Sequence, residues 1–203
     1  DTRCGTRLLT ALERALEAFG ESLVQLIRCE LHGFRTSLPI SDFCDPRGSK
    51  RPDCGSGIEE TYPFAAGLDL KPGKGKNGLT ITPTARVDSL KAADLFGLVI
   101  PGGWAPDKLR RYAAVTNLVS GMNAANKVIG IICHGGLVAI SAGIVEGRSA
   151  TGSLGIKDDI VNAGGTWVDA PAFRDGNQVW GRVVEDIPDF CRELVAALSE
   201  SPG

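Results

Sequence analysis

Cys133 and His134 stand side by side at the end of the apolar run Val128-Ile129-Gly130-Ile131-Ile132 and just before Gly135-Gly136. A thiol at the corner of a strand–turn–helix junction is pushed up at the carboxyl edge of a sheet. Its sulfur then lies near the free backbone N–H groups of the helix start. Such surroundings stabilise the thiolate, the form of cysteine that attacks carbonyl carbon or is oxidised. An adjacent histidine can take the thiol proton, provided a carboxylate fixes its tautomer. Asp107, Glu59 and Glu60 are the candidate acids, and the N–H of Gly103 could join one at the corner as an oxyanion hole. The same residues read equally as a small hydrophobe ending a core strand, followed by an ordinary turn histidine.

The elements that must position this pair are legible on either side of it. Leu137 to Ala142 reads as the first turns of a helix after the Val128–Ile132 strand, and glycines suit the sharp corner between them. Upstream, Phe96 to Ile100 reads as a strand entering the turn Pro101-Gly102-Gly103. Ala105-Pro106-Asp107 then opens a helix that runs to about Ala125, with proline early and an acid in its first turn. Downstream, Lys157 to Ala163 is a short helix, and Thr166-Trp167-Val168 and Gln178-Val179-Trp180 are strands. Asp186 caps a last helix to about Leu198. Strands alternating with helices predict a mostly parallel sheet covered on both faces, with chemistry beyond the carboxyl ends of its strands. Before residue 57 the pattern differs. The spacing from Thr6 to Leu31 predicts an amphipathic helix, residues 33–56 read as loop, and Leu79 to Thr82 as a short strand. The chain therefore divides into an atypical segment, 1–56, and a domain, 57–203.

At 203 residues with a formal charge of -2, the chain is long enough for one well-buried core and gives no electrostatic reason to bind nucleic acid. No apolar run approaches the roughly 20 residues that span a bilayer, so no membrane partner is expected. From Asp1 onward the sequence shows no basic-then-apolar signal segment, and because Asp1 is not a methionine the alternative of a processed chain or fragment, with an export signal already removed, stays open. Its six cysteines are scattered without C-x-x-C spacing, and only His32 and His134 could assist them, so neither a disulfide framework nor zinc is predicted. The expectation is reduced thiols, a cytoplasmic location, and no metal or cofactor. Gly73-Lys74-Gly75-Lys76-Asn77-Gly78 matches G-x-G-x-x-G, but a strand follows where a helix should open, which argues against a nucleotide loop. Lys157-Asp158-Asp159 reads as a solvated cluster, and Trp104 as ordinary aromatic packing.

Residues 57–199 resemble the ThiJ/PfpI family, in particular its intracellular-protease-like PfpI branch. The likeness rests on an ordered series: Leu98-Val99-Ile100-Pro101-Gly102-Gly103, Ala105-Pro106-Asp107 and Ile132-Cys133-His134-Gly135. Lys157-Asp158-Asp159, Asn162-Ala163-Gly164, Trp167-Val168-Asp169 and Asp175-Gly176-Asn177 complete it. The resemblance implies a flavodoxin-like three-layer α/β sandwich with Cys133 as nucleophile and His134 as base. It implies Asp107, supplied by a neighbouring subunit, as the orienting acid, hence a homo-oligomer such as a dimer or hexamer. It also implies Glu59, three residues before Tyr62-Pro63, beside the sulfur. Asp107 replaces the family's usual glutamate, Gly136 its usual proline, and Trp180-Gly181 a small hydroxyl segment. The first strand–helix–strand unit is atypical, because residues 50–56 make a poor central strand and no helix fits between Pro63 and Lys71. That predicts a sheet short of one or two elements beside the nucleophile. The expected function is a cysteine-dependent hydrolase acting on a peptide or a small aldehyde, as a peptidase, deglycase or glyoxalase. A non-catalytic redox or stress protein with an oxidisable Cys133, or an inactive relative, are the alternatives.

Overall fold

A computed structural model describes residues 24–29, 61–74 and 80–200. Its centre is a seven-stranded sheet in the order β10-β11-β7-β6-β1-β2-β5. These strands are β1 (Val24–Cys29), β2 (Thr61–Gly67), β5 (Ala85–Arg86), β6 (Gly97–Ile100), β7 (Val128–Ile132), β10 (Ala172–Asp175) and β11 (Gln178–Gly181). β11, β7, β6, β2 and β5 share one direction, while β1 and β10 run against it. Two small ribbons stand apart: β3 (Gly73–Lys74) with β4 (Thr80–Ile81), and β8 (Ser149–Ala150) with β9 (Thr166–Trp167).

β6 and β7 are apolar on both faces because both faces are covered, as parallel strands require. Side chains alternate across the sheet. Leu98, Ile100, Ile129, Ile131 and Trp180 pack with Leu109 of α1 (Ala105–Leu109) and with Val115, Val119 and Met122 of α2 (Ala113–Ala124). Leu137 and Val138 of α3 (Gly136–Ser141) and Ile160 of α4 (Lys157–Asn162) join the same layer. On the other face Val99, Val128, Ile132 and Val179 meet Ile187, Phe190 and Leu194 of α5 (Ile187–Glu200). Phe190 can approach because the strands give way to glycine: a Cβ at Gly130 or Gly181 would stand 2.9 or 2.8 Å from its ring. The Trp180-Gly181 departure from the family pattern is thus a packing device, with Trp180 filling one face and Gly181 admitting Phe190 to the other. These three layers are the α/β sandwich expected from the sequence.

Four expectations need correction. Residues 24–29, placed in the amphipathic helix 6–31, form β1, and the rest of that helix lies outside the described residues. β1 pairs antiparallel with both β6 and β2, so the sheet extends into the segment before residue 57. The first unit is atypical, as expected, yet the sheet is not short: β1 bridges β6 and β2, with Leu68–Pro72 a turn rather than a helix. The single helix from Ala105 to Ala125 is two helices, because Tyr112 is extended at φ −105°, ψ 119° and starts α2 anew. Of the strand expected at 79–82, Thr80–Ile81 form β4, Thr82 lies beyond it, and Leu79 falls outside the described residues; among the described residues β4 pairs with β3, outside the main sheet. No helix among the described residues is long and apolar enough to cross a membrane.

Candidate active site

β7 carries the chain to the carboxyl edge, and Cys133 turns it there. Cys133 adopts φ 57°, a left-handed conformation disfavoured for a residue with a side chain. Strain of this kind persists only where packing enforces it. The enforcement here is visible. A Cβ at Gly102 would stand 2.6 Å from Cys133 Cβ and 3.1 Å from its Sγ. A Cβ at Gly152 would stand 2.8 Å from the Cys133 carbonyl oxygen, and one at Gly135 would collide with the carbonyl oxygen of Ile100. Glycine on three sides lets backbone close around the corner. Cys133–Gly135 forms a 3-10 turn that runs directly into α3, so the thiol sits at a helical N-terminus as the sequence predicts.

The half-buried sulfur has His134 Nδ1 at 3.4 Å. The backbone N–H groups of His134 and Gly103, and the hydroxyl of Ser153, lie near enough to favour its charged form. Gly103 reaches it from the β6–α1 turn, where a φ of 79° suits glycine alone. The thiolate expectation is nevertheless reversed in sign. Burial pushes the Cys133 thiol above its ordinary value and outweighs these donors, and the nearby Glu185 carboxylate pushes the same way. At rest this group is therefore a thiol, with an imidazole beside it.

Trp104, taken from sequence as packing, is 72% exposed and tilts over the imidazole, with ring centroids 5.6 Å apart. Asp107 pairs with Arg111 on the same helical surface, and Arg111 Nε also donates to the Asp107 carbonyl at 3.0 Å. Within one chain no carboxylate of the described residues hydrogen-bonds His134, so Cys133, His134 and Gly103 come together while Asp107 stands apart. Glu59 and Glu60 lie outside the described residues. Thr61, which follows them, pairs with Cys29 at the amino edge of the sheet, opposite the edge that carries Cys133.

Sequence reading missed Ser153 and Glu185. Ser153 enters because the 151–156 segment folds over the corner. Glu185 enters because Gly181 pairs with Ile132, so the 3-10 turn Val184–Asp186 emerges beside the thiol. Arg182 holds that turn, donating to Asp186 Oδ2 at 2.9 Å and to Asp169 Oδ1 at 2.7 Å. Neither residue carries a local motif; only strand register could have found them. Among the described residues no cluster of three or more His, Cys, Asp or Glu could hold a metal ion.

Comparisons with known proteins agree with this fold. A model of the DJ-1/PfpI family matches residues 59–197. The chain is 36% identical over 124 residues to the protein named deglycase PfpI of Pyrococcus furiosus, covering 61% of this chain and 75% of that one. It is 36% identical over 129 residues to general stress protein 18 of Bacillus subtilis, covering 63% and 75%. Among solved structures, a two-domain Anabaena variabilis protein with DJ-1/ThiJ/PfpI-like and ferritin-like domains superposes with a TM-score of 0.62 at 32% identity. That match covers 64% of this chain and 37% of the larger one.

Proposed function

The chain belongs to the DJ-1/PfpI family, and on that premise we propose that it is a cysteine-dependent hydrolase of the PfpI type, acting as a deglycase on small-aldehyde adducts. The observation that carries the reading is the corner itself: a left-handed Cys133 with His134 Nδ1 at 3.4 Å and two backbone N–H groups near the sulfur. As the amine adduct of an aldehyde arrives, His134 takes the thiol proton, Sγ bonds the carbinol carbon as its C–N bond breaks, and the imidazolium gives that proton to the departing amine. The product on sulfur is a hemithioacetal, whose oxygen the N–H groups of Gly103 and His134 can receive. Its O–H proton passes through the imidazole to sulfur as the S–C bond breaks and the C=O re-forms, which frees the thiol and the aldehyde, and water hydrates the aldehyde. With a peptide, Sγ would instead add to the carbonyl carbon, the amine would leave as the C=O re-forms, and water would hydrolyse the thioester. The aldehyde adduct is favoured because its C–N bond is more labile than that of an amide.

A second copy of the chain completes the site in this proposal, its Asp107 exchanging Arg111 for His134 and fixing the imidazole tautomer. The pairing of Asp107 with Arg111, away from the histidine of its own chain, supports this. The test is amine release from methylglyoxal-treated N-acetyl-lysine, with fluorogenic peptides assayed in parallel. Turnover lost in both Cys133→Ser and His134→Ala supports the hydrolase. Turnover retained in Cys133→Ser sinks it. Peroxide sensitivity without any turnover would favour the redox reading, for which the relative named a stress protein is the one supporting observation.

A further inference from the structure

α1 is five residues long, too short to hold its shape in water without tertiary packing. A break in the backbone stands on each side of it. Gly103, at φ 79°, precedes it, and Tyr112, extended at φ −105°, ψ 119°, follows. Buried Ala105, Pro106 and Leu109 seat it on the core. Its leading end joins Gly103 and Trp104 at the corner. Its trailing end is capped by Arg110, whose backbone N–H donates to the Pro106 carbonyl at 3.0 Å. The Arg110 side chain then crosses to another element: Nε donates to Ser141 Oγ at 2.8 Å, 31 residues further along the chain. Ser141 is the last residue of α3, the helix that leaves the corner directly after Cys133–Gly135. That end of α3 is itself tied to α2, where Ser120 Oγ donates to the Ala142 carbonyl at 2.5 Å. The two short helices that leave the site are thus joined twice. Gly102 abuts Cys133 at the near end, and Arg110 meets Ser141 at the far end.

We propose that Arg110 is a positioning residue: through its hydrogen bond to Ser141 it sets the tilt of α1, and with it the place of the Gly103 N–H beside the Cys133 sulfur. This rests on the reading of Cys133 as a nucleophile and adds a residue that touches neither substrate nor reacting atoms. With the far end released, α1 turns about Gly103, where the backbone resists rotation least. The Gly103 N–H turns with it. A donor aimed at a reacting oxygen acts only at close range and good alignment, and losing one outright costs about 100-fold or more in rate. A small swing removes part of that effect. The same swing takes a donor away from the sulfur itself, which can be read without any substrate.

The test uses the full chain in two assays. Amine release from methylglyoxal-treated N-acetyl-lysine gives kcat and KM. Iodoacetamide alkylation of Cys133 against pH, resolved by peptide mass mapping, reads the thiolate, with His134 and Glu185 the same in every variant. Arg110→Ala should lower kcat about tenfold, part of the cost of a lost donor, with KM within about twofold. Its alkylation profile should move to higher pH, because the thiolate has lost a hydrogen-bond donor. Ser141→Ala keeps the cation and should do the same. The double variant should do no more than either single one, since all three break one bond. Arg110→Lys, whose ammonium can still donate to the hydroxyl, should recover part of the loss. Lys108→Ala removes an exposed cation of α1 and should match wild type in both assays. Urea midpoints should stay close to wild type throughout. Unchanged kcat and alkylation in Ser141→Ala, additive losses in the double variant, or a fall in midpoint alone overturns the positioning role. Absence of turnover in wild type overturns the hydrolase reading only, and the alkylation profiles still decide the role of Arg110.

Discussion

Cys133 combines a strained backbone with a thiol that burial keeps protonated, and both can be measured. Alkylation of Cys133 should keep accelerating above about pH 8.5, where a free thiol is half ionised; a plateau reached below pH 7 would contradict the burial argument. Stability follows the same sign. Because the folded pKa lies above the unfolded one, this group's contribution is intact below about pH 8.5 and lost as pH rises through the folded value. Cys133→Ser should remove that part of the alkaline slope in urea titrations. Gly102→Ala forces a methyl into Cys133 and should cost about 1–3 kcal/mol, with altered alkylation kinetics, read by denaturation and iodoacetamide labelling. The pair Cys133-His134 was plain in the sequence because strand, corner and helix are contiguous there. The sign of the thiol shift was not, since it depends on Glu185 and on burial by segments 20 to 50 residues away.

At the level of elements, the site depends on β11 standing beside β7, and a buried amide holds that region together. Gln178 Nε2 donates to Asn123 Oδ1 at 3.1 Å and to the Ile144 carbonyl at 2.8 Å, while its Oε1 accepts from Trp180 Nε1 at 3.1 Å. One side chain thereby ties β11 to α2 and to the loop after α3. Gln178→Ala should strand the indole N–H and a buried carbonyl and cost about 2–4 kcal/mol, measured as a fall in urea midpoint. A loss under 1 kcal/mol would show that water replaces the amide. The strand at 178–180 could be read from its β-favouring Val179-Trp180 and the Asp175-Gly176-Asn177 turn before it, but its partner β10 could not, because Ala172-Phe173-Arg174-Asp175 carries no strand pattern of its own. The break at Tyr112 was hidden for the opposite reason: apolar residues keep helical spacing across it.

For the whole molecule, the decisive strand is the one the sequence disguised. Val24 to Cys29 sits within a run whose leucines recur at helical spacing, so periodicity favoured a helix. Its antiparallel pairing with two distant strands is a long-range fact that no local window contains. A chain beginning at residue 57 would separate β2 and β5 from β6 and should lose its cooperative melt; a sharp transition in that truncation would show β1 to be dispensable. Oligomer assembly makes a second prediction at this scale. If Asp107 acts on a neighbouring copy, inactive Asp107→Asn and Cys133→Ser chains, unfolded and refolded together, should regain measurable activity that neither shows alone.

The indole over His134 has an optical consequence. Trp180 is fully buried and Trp167 half-buried, so excitation at the red edge, together with collisional quenchers in solution, isolates the exposed Trp104. A protonated imidazole quenches a neighbouring indole more than a neutral one does. With the rings 5.6 Å apart, Trp104 emission should report imidazole charge as carbonyl compounds are added, so each proton transfer at the corner can be followed by stopped-flow fluorescence without an attached dye.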